Sequence, residues 1–172
     1  MLVLLIENDN ENTVDLIRSS LQNEVIKGVI RDSYTPKPLA TSPPDKGLYV
    51  QTFGKFEAFY DGVPIHFQHG KTKELFAYLI SQNGAMCSNN EIMAALWEED
   101  THISYLKTIR ADFLKTMRSL GLEDVIVHRR NNLGVLTRSI RCDYYDYLAG
   151  NKALYKDEFM NQYSWAMGLN IL

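Results

Sequence analysis

The chain has 172 residues, 45% of them hydrophobic and 23% charged, a balance that excludes an intrinsically disordered protein and allows a core without disulfides or metals. Its net charge of −3 excludes a uniformly basic protein, and its two cysteines, Cys87 and Cys142, lack close-spaced ligand partners, as expected of a reduced, cytoplasmic setting. The apolar start Met1–Ile6 is cut off by Glu7 and Asp9, far short of a membrane span, and no targeting segment is apparent.

In chain order, Leu2–Ile6 has the pattern of a buried strand, and Val14, Ile17 and Leu21 repeat at helical spacing within a helix expected over 13–23. Val25–Ile30 is a second strand candidate. Four of the five prolines then fall in Tyr34–Gly47, marking a linker or extended connector. Short strands are expected at Tyr49–Phe53 and Lys55–Tyr60, and Asp61-Gly62 is a hairpin turn leading into Val63–Phe67. A helix over Thr72–Ser81 places Leu75, Phe76, Leu79 and Ile80 on one face. Ser88 and Glu91 have the spacing of a capping box, which starts a second helix running to about Trp97. A third helix spans about Ser104–Leu120 and stops at Gly121. Val125–Arg129 and Leu133–Thr137 form a hairpin around Arg130-Asn131-Asn132. The aromatic-rich end, Asp143–Leu172, reads as one or two packed helices.

Charge is distributed unevenly. Between Thr101 and Arg141 eight cations face three acids, so this stretch carries +5 and the remainder −8. A local basic field is what a phosphate backbone responds to, although a solvated face without a partner has the same composition. In the third helix, Leu106, Ile109, Phe113, Met117 and Leu120 trace one apolar stripe that must face a core. The opposite stripe is Ser104, Thr108, Ala111, Lys115 and Arg118, flanked by Lys107 and Asp112. These short or basic side chains let a backbone sit deep in a major groove while long cations reach phosphates and bases. Arg129, Arg130 and Asn131 follow on the hairpin. Asp112 speaks for an ordinary solvent face, because phosphates repel a carboxylate unless it accepts from a cytosine.

Five blocks in one order carry a family resemblance: FGKFEAFYDGVPIHF (53–67), KTKELFAYLI (71–80), NGAMCSNNEIMAALW (83–97), LKTIRADFLKTMRSLGLEDVIVHRRNNLG (106–134) and CDYYDYL (142–148). Residues Tyr49–Arg141 resemble the effector domain of OmpR-type response regulators of two-component systems, and more closely the SARP-like branch in Gram-positive bacteria. EFMNQYSWA (158–166) resembles the start of the helical activation domain that follows in that branch. The resemblance implies an α+β winged helix: a four-stranded, antiparallel N-terminal sheet, three helices with the third reading double-stranded DNA, and a C-terminal wing. It also implies DNA contacts for Lys71, Lys73, Ser104, Lys107, Thr108, Ala111, Lys115, Arg118, Arg129, Arg130 and Asn131.

Leu2–Asp9 resembles the first strand and acidic cluster of a phosphoryl-receiver domain, and Lys37-Pro38 its late Lys-Pro element. The middle of a receiver, including the strand that ends in the phosphoacceptor Asp, is missing where ~120 residues would be usual. Aspartyl-phosphate chemistry is therefore not expected, whether the block is a natural remnant or an engineered excision.

The expected organisation is a receiver-like remnant over 1–38, a Pro-rich linker over 39–47, a winged helix over 48–141 and a helical tail over 142–172. The first block is too short for its own core, which predicts pairing into a homodimer or docking on the same chain. Glu98, Glu99 and Asp100 suit a solvated turn, or a contact with RNA polymerase as the resemblance implies. His66, His69 and Cys87 match no metal-ligand spacing, and no nucleotide, hydrolase or redox motif occurs, so neither a cofactor nor an enzyme is expected. The functional expectation is a sequence-specific DNA-binding transcription regulator. Its alternative is a protein-interaction regulator that has lost DNA binding and acts through heterodimerisation or its tail.

Overall fold

The structure, a computed structural model, describes residues 46–97, 103–155 and 158–169. The remnant expected over 1–38, the linker up to Asp45 and the acidic loop 98–100 lie outside the described residues, and with them the basis for a homodimer.

Three strands open the fold: β1 (Leu48–Gln51), β2 (Glu57–Tyr60) and β3 (Val63–Pro64). Leu48 pairs with Tyr60 and Gln51 with Glu57, so Leu48 and Val50 turn inward while Tyr49 and Gln51 stay half exposed. The two-residue turn between β2 and β3 puts Asp61 at φ 48° and Gly62 at φ 76°. Two consecutive left-handed residues define the hairpin turn whose twist matches its strands, and Asp-Gly adopts it at low cost.

The fourth strand of this sheet does not come from the N-terminal run. It is β7 (Arg141–Cys142), which returns to lie parallel on β1, giving the order β3-β2-β1-β7. The expectation of four antiparallel N-terminal strands is corrected to three antiparallel strands plus this parallel return. Asp143 explains the exchange. Its buried carboxylate accepts from the Thr52 and Phe53 N–H groups at 2.8 and 3.1 Å and from the Thr52 hydroxyl at 2.6 Å. Those amides are thereby taken from the strand ladder, and β1 ends at Gln51 rather than Phe53.

Three helices follow: α1 (Gly70–Ser81), α2 (Asn89–Leu96) and α3 (Ile103–Ser119). The capping box forms as expected, with Ser88 N–H donating to Glu91 Oε2 at 2.7 Å and Glu91 N–H to Ser88 Oγ at 3.3 Å. Phe76 on α1 meets Phe113 on α3 at 5.3 Å and Phe56 edge-on at 5.7 Å, so the central rings join helices to sheet. A hairpin of β5 (Ile126–Arg129) and β6 (Asn132–Val135) completes a second sheet with β4 (Cys87–Ser88), in the order β4-β6-β5. The segment before β4 runs so close to the hairpin that a Cβ on Gly134 would stand 2.9 Å from Met86 Sδ and 3.2 Å from the Ala85 carbonyl. Both cysteines are free and buried, and burial pushes the Cys87 thiol up to about 11.

Of the one or two helices expected in the tail, the described residues hold one. After α4 (Asp143–Leu148) the described residues form only short 3-10 turns, at Lys152–Leu154 and Ser164–Gly168. Backbone groups at 158–161 bond to the loop that follows β1. Gly54 N–H donates to the Glu158 carbonyl at 3.1 Å, and Met160 N–H donates to the Thr52 carbonyl at 2.8 Å. The Gln162 amide both accepts from Phe56 N–H and donates to its carbonyl, at 2.9 and 3.1 Å. Trp165 stacks on Tyr163 and donates to Glu74 at 3.2 Å. The tail thus shares the central core, and the expected boundary between Arg141 and Cys142 falls inside β7.

Candidate nucleic-acid interface

The exposed stripe of α3 is the one its spacing requires: Ser104, Lys107, Thr108, Ala111, Lys115 and Arg118 all face solvent. Leu106, Ile109, Phe113 and Met117 are buried on the other side. The two residues at the margins of the stripe, Arg110 and Asp112, are buried as well, 7% and 8% exposed, and each holds a different part of the molecule.

Asp112 does not flank an exposed face. Its carboxylate accepts from the Thr72 hydroxyl at 2.6 Å and from His69 N–H at 3.3 Å, standing at the N-terminus of α1, whose own N-cap side chain makes no capping bond. A carboxylate is favourable there because the helix end carries unpaired N–H groups and a positive partial charge. The objection that Asp112 would repel phosphates is therefore removed. Asp112→Ala is expected to lower stability by about 1–3 kcal/mol, the cost of leaving buried donors without an acceptor. Its effect on DNA affinity at low salt should stay within about twofold. A tenfold gain in affinity at unchanged stability would place the carboxylate on the exposed face after all.

Arg110 is the residue sequence reasoning missed. It lies within the basic stretch 101–141 but belongs to the structure beneath it: Nη1 donates to Asn89 Oδ1 on α2, and Nη2 donates to the Asn132 carbonyl on the hairpin at 3.3 Å. Both acceptors are neutral, and burial lowers its pKa, though not enough to discharge a guanidinium. The signal available in sequence was position 110, beside the apolar positions 106, 109 and 113 on the helix surface.

Between α3 and the hairpin lies a groove of about 380 Å³. Lys107 and Ala111 line it from α3, His128, Arg130 and Asn131 from the hairpin, and Asn89 and Asn90 from the start of α2, with Arg110 in its lining. Among the described residues no carboxylate lines it. Asn89, Asn90 and His128 were not among the expected site residues; the amides are visible in sequence only as the first turn after the capping box. Lys115 and Arg118 continue the exposed stripe along α3, and Arg129 is exposed where β5 meets the tip. Arg118 lies 3.9 Å from Glu123, a pair too exposed to hold it firmly. The Thr108 hydroxyl donates to the Ser104 carbonyl at 3.3 Å, leaving its lone pairs outward.

Lys71 and Lys73 stand elsewhere, on α1 and outside the groove lining. Lys71 Nζ is 2.9 Å from Glu74, donates to the Leu96 carbonyl at 2.7 Å and lies over the Trp97 ring. Lys73 Nζ is 2.6 Å from Glu57. Among the described residues no group of His, Cys, Asp and Glu could hold a metal, and no helix is long and apolar enough to cross a membrane.

The fold is similar to part of Mycobacterium tuberculosis EmbR. That structure, solved in complex with a low-affinity phosphopeptide, superimposes with a TM-score of 0.52 at 18% identity, over 63% of this chain and 30% of the EmbR chain. The likeness concerns the fold, and this chain spans less than a third of EmbR's length. No protein-family model matches the sequence, and no curated protein does.

Proposed function

We propose that the chain is a sequence-specific, double-stranded-DNA-binding transcription regulator of the SARP type, and that its activity requires no aspartyl phosphate. The observation that carries this reading is the groove between α3 and the hairpin: cationic on both walls and, among the described residues, without a carboxylate in its lining. A duplex presents one negative charge for every ~1.7 Å of axis, and a groove of this kind is complementary to its backbone. Ala111 lies between the cations of the helix, so the α3 backbone can approach base edges closely while Lys107, Lys115 and Arg118 reach outward. The hairpin would stand as a wing on the adjacent backbone or minor groove. EmbR's shared fold supports the order of helices and hairpin on which this docking depends.

Selection from a random duplex pool, followed by titration of the enriched sequence, tests the reading. Thr108→Ala and Lys115→Ala should change the preferred sequence, each by about 1–3 kcal/mol of discrimination at the base they face. Arg129→Ala and Arg130→Ala should lower affinity for all duplexes alike. If Arg130→Ala altered the preferred sequence while Lys115→Ala changed nothing, α3 would not be the reading helix.

A further inference from the structure

We infer that Arg110 is the positioning residue of this interface: it touches no DNA and sets the angle between the wing and the reading helix. The inference rests on the DNA-binding reading and assigns the buried cation a separate role within it.

Among the described residues the hairpin has few other attachments near its tip. β5 is the edge of its sheet, and β6 pairs with β4 over only two residues, Cys87 with Leu133 and Ser88 with Asn132. Among the described residues two further bonds reach the tip itself: Asn89 N–H donates to the Asn131 carbonyl at 2.9 Å, and Arg110 Nη2 donates to the Asn132 carbonyl. Of these, only the Arg110 bond comes from α3. Its other fork ends on Asn89 Oδ1, so one planar group spans the reading helix, the start of α2 and the wing. A guanidinium holds two acceptors in fixed relative positions, which an ammonium on a flexible stem does not. Arg130 and Asn131 project from the segment so held.

Positioning leaves a signature that a direct contact lacks. If Arg110 aims the wing, removing it forfeits what Arg130 contributes, and the two substitutions are then not additive. The test uses the full chain and its selected duplex, with affinities for wild type, R110M, R110K, N89A, R130A and the doubles with R130A, each over a range of salt. R130A is expected to weaken wild type about fivefold but R110M and R110K less than twofold, because a misdirected wing has nothing left to lose. R110K should behave as R110M although it keeps the charge, and in both the salt slope should fall by about 0.9, the loss of one phosphate contact. Base preference set by α3 should persist in both.

Thermal melts identify any variant that fails to fold. N89A covers that case, since it removes one acceptor of the fork at a partly exposed position and leaves Arg110 in place; it too should shrink the R130A penalty. A full fivefold R130A penalty in folded R110K and in N89A would overturn the inference. So would R110K matching wild type while R110M loses slope, the mark of a direct phosphate contact. Absence of duplex binding by wild type would instead remove the DNA-binding reading itself, and the inference with it.

Discussion

Raising monovalent salt from about 50 to 200 mM is expected to weaken binding to the selected duplex by about 500-fold, a slope of about −4.5 in log affinity against log salt. The figure counts five exposed cations of α3 and the hairpin: Lys107, Lys115, Arg118, Arg129 and Arg130. Each phosphate neutralised releases condensed counterions, and dilution of those ions drives association. Arg110 is left out of the count because its guanidinium is buried and already bonded. Lys71 and Lys73 are left out because Glu74 and Glu57 already neutralise them, so K71A and K73A should leave the slope unchanged. Fluorescence anisotropy on a labelled duplex measures the slope directly. A slope near zero, or no binding to any duplex at low salt, would defeat the proposal and favour a regulator that acts through protein contacts.

Asp143→Ala should destabilise the protein by about 3–5 kcal/mol, the largest single-residue effect on folding expected here. The side chain is 7% exposed, and its two oxygens accept from Thr52 N–H, Phe53 N–H, Tyr144 N–H and the Thr52 hydroxyl. Truncation strands several buried donors at once, each worth about 1–3 kcal/mol when left unpaired, with partial relief from relaxation and water. The damage also spreads. Asp143 holds the turn after β1 against the start of α4, and β7 reaches β1 through the residues just before it. Asp143→Asn keeps the volume and part of the acceptor capacity and should cost less than half as much. Urea unfolding, with the midpoint falling at unchanged slope, provides the measurement. A loss below about 1 kcal/mol would mean that water substitutes for the carboxylate and that the sheet closes without it.

Local signals were strong enough to be read directly along the chain. The turn at Asp61-Gly62, the capping box from Ser88 to Glu91, the apolar stripe of α3 and the hairpin after it depend on residues a few positions apart. Their geometry is settled by backbone sterics and helical or alternating spacing before any long-range contact forms. The exposed cations of α3 were legible for the same reason, since a helix with one apolar face must turn the other outward. Contacts far apart in sequence decided the rest. Nothing near position 112 marks Asp112 as a partner for Thr72, and nothing near 143 marks Asp143 as the acceptor that ends β1. Beyond α4 the tail is irregular at 158–162 because that segment bonds to 52–56, about a hundred residues away. Arg110 shows the limit most sharply: an arginine on a basic helix has the same local sequence whether it meets phosphate or the carbonyl of Asn132. Only the packing of the hairpin against α3 brings that carbonyl within reach, and burial then makes bonding to it the cheaper state.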